Sequence, residues 1–297
     1  MQNAEAEFDY YKAFERTIGW VSKEEQEFLR SKHIAIGGLG GTGGYYALTL
    51  ARLGFEHFSL ADNDCFDMNN LNRQAGAFLH TLKKNKAEVL AEMITGINPN
   101  ISVRIFNRGI DETNISDFLK GVDFYLSSMG LSSVDIQTDI FESCRQKGIP
   151  ATTVIVPGFG AALINFHPNR MSYDQYFQAK GYSREEQAIR LIVGHNPRLM
   201  PRRYILSDDN IRFKEYDGPV NPMACVLAAG LACTNLLKII LGRNRVYWSP
   251  WSYQLDAYLG KFVKTWRPGG NSNLIQRVIL LYLRKRFQLP NHVKKSS

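Results

Sequence analysis

Cysteine is scarce in this chain, and what there is stands apart. Cys65, Cys144, Cys225 and Cys233 are the only four in 297 residues, and no two form a Cys-x-x-Cys pair. That excludes a disulfide framework and a paired-cysteine zinc site, and the thiols read as small buried hydrophobes. No run reaches the roughly 18 apolar residues that a membrane span needs. The first twenty residues are acidic and aromatic rather than signal-like, so a cytoplasmic location is expected. Internal repeats and low-complexity segments are absent, and the six histidines show no metal spacing. Thirty-six basic against 28 acidic residues give a net charge of +8, which suits an anionic substrate or partner. No nucleic-acid module accompanies that charge, so nucleic acid is not expected as a partner.

What is present is an ordinary globular composition, 44% hydrophobic and 22% charged. From Ile34 to Val156 strand and helix signals alternate. This is the α/β pattern of a Rossmann-like, mostly parallel sheet with helices on both faces. Strands are expected at His33–Gly37, His57–Asp62, "ISVRIF", "VDFYLS" and "IPATTVIV". Helices are expected at Thr42–Leu53, Lys83–Ile97 and Ser133–Lys147, the second halted ahead of Pro99. After Pro157 the texture changes. A strand (AALINF), a polar helical stretch from Tyr173 to Gly194 and an irregular basic stretch from Pro197 to Pro222 follow in turn. An apolar helix then runs from Pro222 to Gly242, opened by proline and closed by glycine. A closing hairpin and an amphipathic basic helix, Asn273 to Phe287, complete an antiparallel C-terminal extension. The expected division is an N-terminal helical segment 1–32, a nucleotide domain 33–166 and a C-terminal part 167–297 on the same sheet.

The first strand breaks into six glycines within eight positions, Gly37 to Gly44. Gly38, Gly40, Gly41 and Gly43 satisfy G-x-G-x-x-G between a strand and a helix, the arrangement that holds a phosphate at a helix start. Asp62, about 20 residues on, stands where a carboxylate binds a ribose hydroxyl. The glycines alone fit NAD, FAD or ATP equally, which keeps an oxidoreductase in view. The next segment separates them. In "DNDCFDMNNLNRQ", followed by "LKKNK", Arg73 can meet β- and γ-phosphates with a bidentate fork. Asn70 can bond phosphate or ribose oxygens, and Lys86 can neutralise an α-phosphate under attack.

The combination of "GLGGTGG", "DNDCFDMNNLNRQ", Lys86 and "INPN" resembles the ThiF/MoeB/HesA superfamily, relatives of ubiquitin-activating enzymes, and the bacterial ThiF-like adenylyltransferases within it. The resemblance implies ATP with Mg2+ and adenylation of the C-terminal carboxylate of a ubiquitin-like protein or peptide, releasing pyrophosphate. It carries Gly38, Gly40, Gly41 and Gly43 over as the phosphate turn, with Asp62 and Asp64 beside the nucleotide. Asn70 and Arg73 fall on the phosphates, and Lys86 on the reacting phosphorus. It also puts Arg16 where the family reaches a neighbouring subunit's ATP, which implies a homodimer. Catalysis of this kind needs no general base, only alignment and charge neutralisation.

One stretch departs from the family. Its metal-binding D-x-x-D pair becomes Ser127 and Gly130 here. Asp135, a turn into the next helix, or Asp64 is left to serve the metal. The alternative is a catalytically degenerate nucleotide-binding scaffold of the same fold.

Overall fold

Eight strands share a single sheet in this computed structural model, which describes residues 7–207, 218–243 and 245–289. They are β1 (His33–Gly37), β2 (His57–Ala61), β3 (Ser102–Phe106), β4 (Phe124–Ser127), β5 (Ala151–Ile155), β6 (Gly160–Phe166), β7 (Trp251–Asp256) and β8 (Lys261–Trp266). Their order is β3-β2-β1-β4-β5-β6-β7-β8. The first five pair in parallel and the last three antiparallel. Gly37 pairs with both Ala61 and Ser127, so β1, β2 and β4 end level.

The helices are α1 (Tyr10–Phe14), α2 (Lys23–Arg30), α3 (Gly43–Arg52), α4 (Lys86–Thr95), α5 (Ile115–Phe118), α6 (Val134–Gln146), α7 (Tyr173–Phe177), α8 (Arg184–His195), α9 (Pro222–Ile240) and α10 (Leu274–Arg286). Strand alternation sends β1 side chains to opposite faces. Ile34 and Ile36 join Phe58, Leu60 and the inner residues of α3, α4 and α9, whereas Ala35 joins Tyr125, Phe141, Tyr173 and Phe177. A smaller cluster of Ala188, Ile189, Val193, Leu280 and Leu283 fastens α10 to α8.

Several expectations change. The polar stretch from Tyr173 to Gly194 divides into α7 and α8, because Gln178 caps α7 in the left-handed region at φ +50°. Lys83 is also left-handed, at φ +67°, so α4 starts at Lys86, capped by Asn85. By length and composition α9 is apolar enough to cross a membrane, contrary to the expectation from apolar runs. Its small residues Ala224, Ala228, Ala229 and Ala232 pack it instead on β6 and α3. Cys65 is exposed, so only the other three cysteines are buried hydrophobes. Part of the irregular basic stretch, 208–217, lies outside the described residues.

Candidate nucleotide site

Strand order reverses between β1 and β4, and the crevice beyond their carboxyl ends is where open α/β sheets bind ligands. Gly38 has φ +82°, and a Cβ there would stand 2.7 Å from the Ser128 carbonyl oxygen. Both conditions demand glycine. A Cβ on Gly43 would lie 1.8 Å from the Gly38 oxygen, so the turn closes tightly onto the first residue of α3. The positive end of this helix dipole faces the turn, while the Gly43 and Gly44 N–H groups are held by the Ser128 hydroxyl and the Gly40 carbonyl.

Asp62 follows β2 directly. Its carboxylate accepts the Leu39 N–H at 2.6 Å and the Asp64 N–H at 2.9 Å. Burial pushes this carboxyl above its usual range, while the Leu39 N–H and the charge of Lys86 pull the other way. Asp62 thus ties β2 to the glycine turn, and each oxygen keeps acceptor capacity for a further donor.

Lys86 opens α4 and is only 5% exposed. Its Nζ lies 3.0 Å from Oδ2 of Asp64, whose carboxylate is itself open to solvent. The preceding residue holds this corner together. Asn85 donates from Nδ2 towards the carbonyls of Asp62, Asp64 and Asn107, and its Oδ1 accepts the Ala87 and Glu88 N–H groups. Arg73 runs beside the turn, its Cγ and Cδ each 3.9 Å from where a Gly41 Cβ would stand. Nη1 donates to the Asn69 carbonyl and to Oδ1 of Asn72, leaving Nε and Nη2 for an anion. Asn70 is buried, and its amide is engaged within the loop by the Asp67 N–H and by Asn69.

Facing the turn, β4 runs into Ser128, Met129 and Gly130. The Ser128 hydroxyl accepts the Gly43 N–H at 3.0 Å and contacts the Thr42 hydroxyl. It caps α3 from outside, since Thr42 supplies no side-chain cap of its own. Ser127 is buried and donates to Gln137, whose amide donates in turn to the Gly130 carbonyl at 2.9 Å. Gly130 has φ −70°, and a Cβ there would meet nothing nearer than the Ser132 hydroxyl at 3.7 Å. The fold would therefore accept a side chain at this position.

The structure gathers the glycine turn, Asp62, Asp64, Arg73 and Lys86 at one corner. Three expected residues are not among them, the first being Asn70, whose amide is turned into its own loop. Asp135 accepts a hydrogen bond from Gln187 of α8 at 2.9 Å and contributes to the field on Lys180. Among the described residues no group of three His, Cys, Asp or Glu side chains is arranged to hold a metal. Arg16 is exposed on a short turn after α1. Cys225, which opens α9, packs its sulfur against Gly41. Burial pushes that thiol up to about 11 against the pull of Arg73, and its sulfur lines the glycine turn. Asn85, Gln137 and Ser128 went unmarked in the sequence. Only Asn85 carries a local signal there, an asparagine just ahead of a helix.

A glycine turn at the switch point of a doubly wound sheet, with cations gathered beside it, is the arrangement of nucleotide-binding α/β proteins. Residues 14–273 match the ThiF family, and the chain belongs to that family. It is 33% identical over 127 residues to tRNA threonylcarbamoyladenosine dehydratase of Haemophilus influenzae, 42% of this chain and 48% of the relative. Over 148 residues it is 26% identical to sulfur carrier protein ThiS adenylyltransferase of Escherichia coli, 50% of this chain and 58% of the relative. The chain spans about half the length of the curated relatives it matches. The E. coli tRNA dehydratase TcdA in complex with ATP shares the fold at a TM-score of 0.58 and 20% identity, covering 78% of this chain and 95% of that one.

Proposed function

We propose that the chain is an ATP-dependent adenylyltransferase that activates the C-terminal carboxylate of a ubiquitin-like protein or peptide. The observation that carries this reading is the corner where Asp62 ties down the glycine turn with Lys86 and Arg73 beside it. ThiF family membership supports ATP over a nicotinamide or flavin dinucleotide.

In this reading Gly38, Gly40, Gly41 and Gly43 bring backbone up to the phosphates, and Asp62 accepts the ribose hydroxyls. Arg73 takes the outer phosphates on its unengaged edge, in a loop shaped by Asn70. One carboxylate oxygen attacks the α-phosphorus, the bond from that phosphorus to the bridging oxygen breaks, and pyrophosphate leaves with the electron pair. The nucleophile is already ionised, so no proton has to be removed. Lys86 is nearly buried, and its charge acts on the α-phosphate where screening is weak. Asp64, exposed beside Lys86, is the carboxylate that would hold a Mg2+ ion. Such an ion would neutralise charge on the phosphates. The engagement of Asp135 by Gln187 favours Asp64 for this part.

A homodimer belongs to the same reading. α9 exposes Met223, Val226, Gly230 and Thr234 along one stripe, and Trp20, close in sequence to Arg16, is 84% exposed. A second copy covering these surfaces would offer its Arg16 to the neighbouring nucleotide.

The second reading, a scaffold that binds ATP without using it, rests on Ser127 and Gly130 at the family's acidic positions. Isotopic exchange of pyrophosphate into Mg-ATP, measured with candidate peptides ending in Gly-Gly, tests the two. The enzyme exchanges label, and Lys86→Ala lowers the rate by about a hundredfold or more, the usual cost of one transition-state charge contact. A chain that binds ATP yet exchanges nothing with any candidate is the scaffold.

A further inference from the structure

Helix α10 begins where the family match ends, and it builds a second basic enclosure away from the crevice. Between α8, α10 and the turn Gly270–Ser272 lies a cavity of about 560 Å3, walled by Gln178, Tyr182, Arg190, Arg277, Leu280 and Arg284. This is the size range of small-molecule sites.

Two of its three guanidiniums are held in place. Glu186, with a side chain only 1% exposed, accepts Nε of Arg190 at 2.6 Å and Nε of Arg284 at 3.0 Å. Arg190 also lies over the Tyr182 ring at 4.1 Å and donates to the Gln178 carbonyl. Arg277, seven residues before Arg284 and on the same side of α10, has no acidic partner among the described residues. Two guanidiniums thus share one carboxylate and the third has none, so the walls carry an excess of positive charge beside the exposed Leu281. We infer that this cavity binds a small ligand bearing a phosphate or carboxylate group. Arg277 grips the oxyanion, the fixed edges of Arg190 and Arg284 complete the field, and the exposed Leu281 meets the apolar body. Arginine suits this task because its planar fork matches both groups.

Calorimetric titration of the full chain, with the crevice filled by a non-hydrolysable ATP analogue, tests the site with inorganic phosphate and succinate as separate probes. At least one probe is expected to bind saturably at one site. Arg277→Gln, which leaves the Glu186 pairs intact and whose folding circular dichroism checks, weakens that binding tenfold or more. Arg73→Ala leaves it unchanged. Binding of phosphate alone assigns a phosphorylated ligand, and binding of succinate alone a carboxylate. The site is overturned if neither probe binds saturably, if Arg277→Gln binds as well as the parent, or if Arg73→Ala loses the same affinity.

Discussion

The crevice and the α8–α10 joint both place cations around a carboxylate, yet they treat their charges in opposite ways. At the joint, Glu186 is shut away and matched on both sides by Arg190 and Arg284. In the crevice, Lys86 is nearly buried but its partner Asp64 stands in water, and Arg73 engages its own loop with one nitrogen only. A charge pair that holds helices together is completed within the protein. A charge left without an acidic partner among the described residues, as at Arg73 in the crevice and at Arg277 beside the joint, stays open to a ligand.

Breaking the joint is the largest expected effect. Glu186→Ala leaves two guanidiniums, with side chains 11% and 17% exposed, without their counter-charge. A loss of about 3 kcal/mol in unfolding free energy is expected, read by urea denaturation. If the variant unfolds like the parent, the joint is not the internally completed pair described above.

Gly38→Ala attacks the other region through its backbone. It forces a side chain into φ +82° and against the Ser128 carbonyl. The expected result is about 1–2 kcal/mol of destabilisation, together with weakened ATP binding in a fluorescence titration. Retained ATP affinity would detach the turn from the nucleotide.

Gly130→Asp sharpens the comparison rather than breaking it. The position has an ordinary φ and open space, so stability should change little. A carboxylate restored there raises magnesium-dependent pyrophosphate exchange several-fold if the chain is an enzyme working without its family's acid. It leaves a true scaffold silent.

The smallest effect is in pH. Burial raises the Asp62 carboxyl, so it protonates at higher pH than an ordinary aspartate. ATP affinity is expected to fall on acidification with an onset above the usual carboxylate range. Stability runs the other way for this group. A raised acid favours the folded state at low pH, and that contribution fades as pH climbs through the folded-state value. Affinity and stability that fall together on acidification, with Asp62→Asn behaving as the parent, would remove Asp62 from the nucleotide.

Much of the parallel half was readable in the residues. Strand alternation, glycine spacing and Pro99 mark β1, α3, β2 and the end of α4 through forces that act within a few residues. The resemblance then named Lys86, Arg73 and the glycines together. The C-terminal half was legible only as elements. Gln178 in that half, like Lys83 in the parallel one, takes left-handed backbone that nothing local demands, so helix limits moved at both.

Local chemistry along the chain was enough to settle the α/β class and to mark the glycine turn and the cations near it, because each depends on near neighbours. Partnership needed the folded chain. That Ser128 caps α3 from 85 residues away, that Asp135 meets Gln187 and that Glu186 joins α8 to α10 depend on surfaces brought together across the sheet. Side chains so far apart in sequence meet only after the sheet and its helices have buried their apolar faces, and burial then decides which charges must be matched inside and which remain open to a ligand.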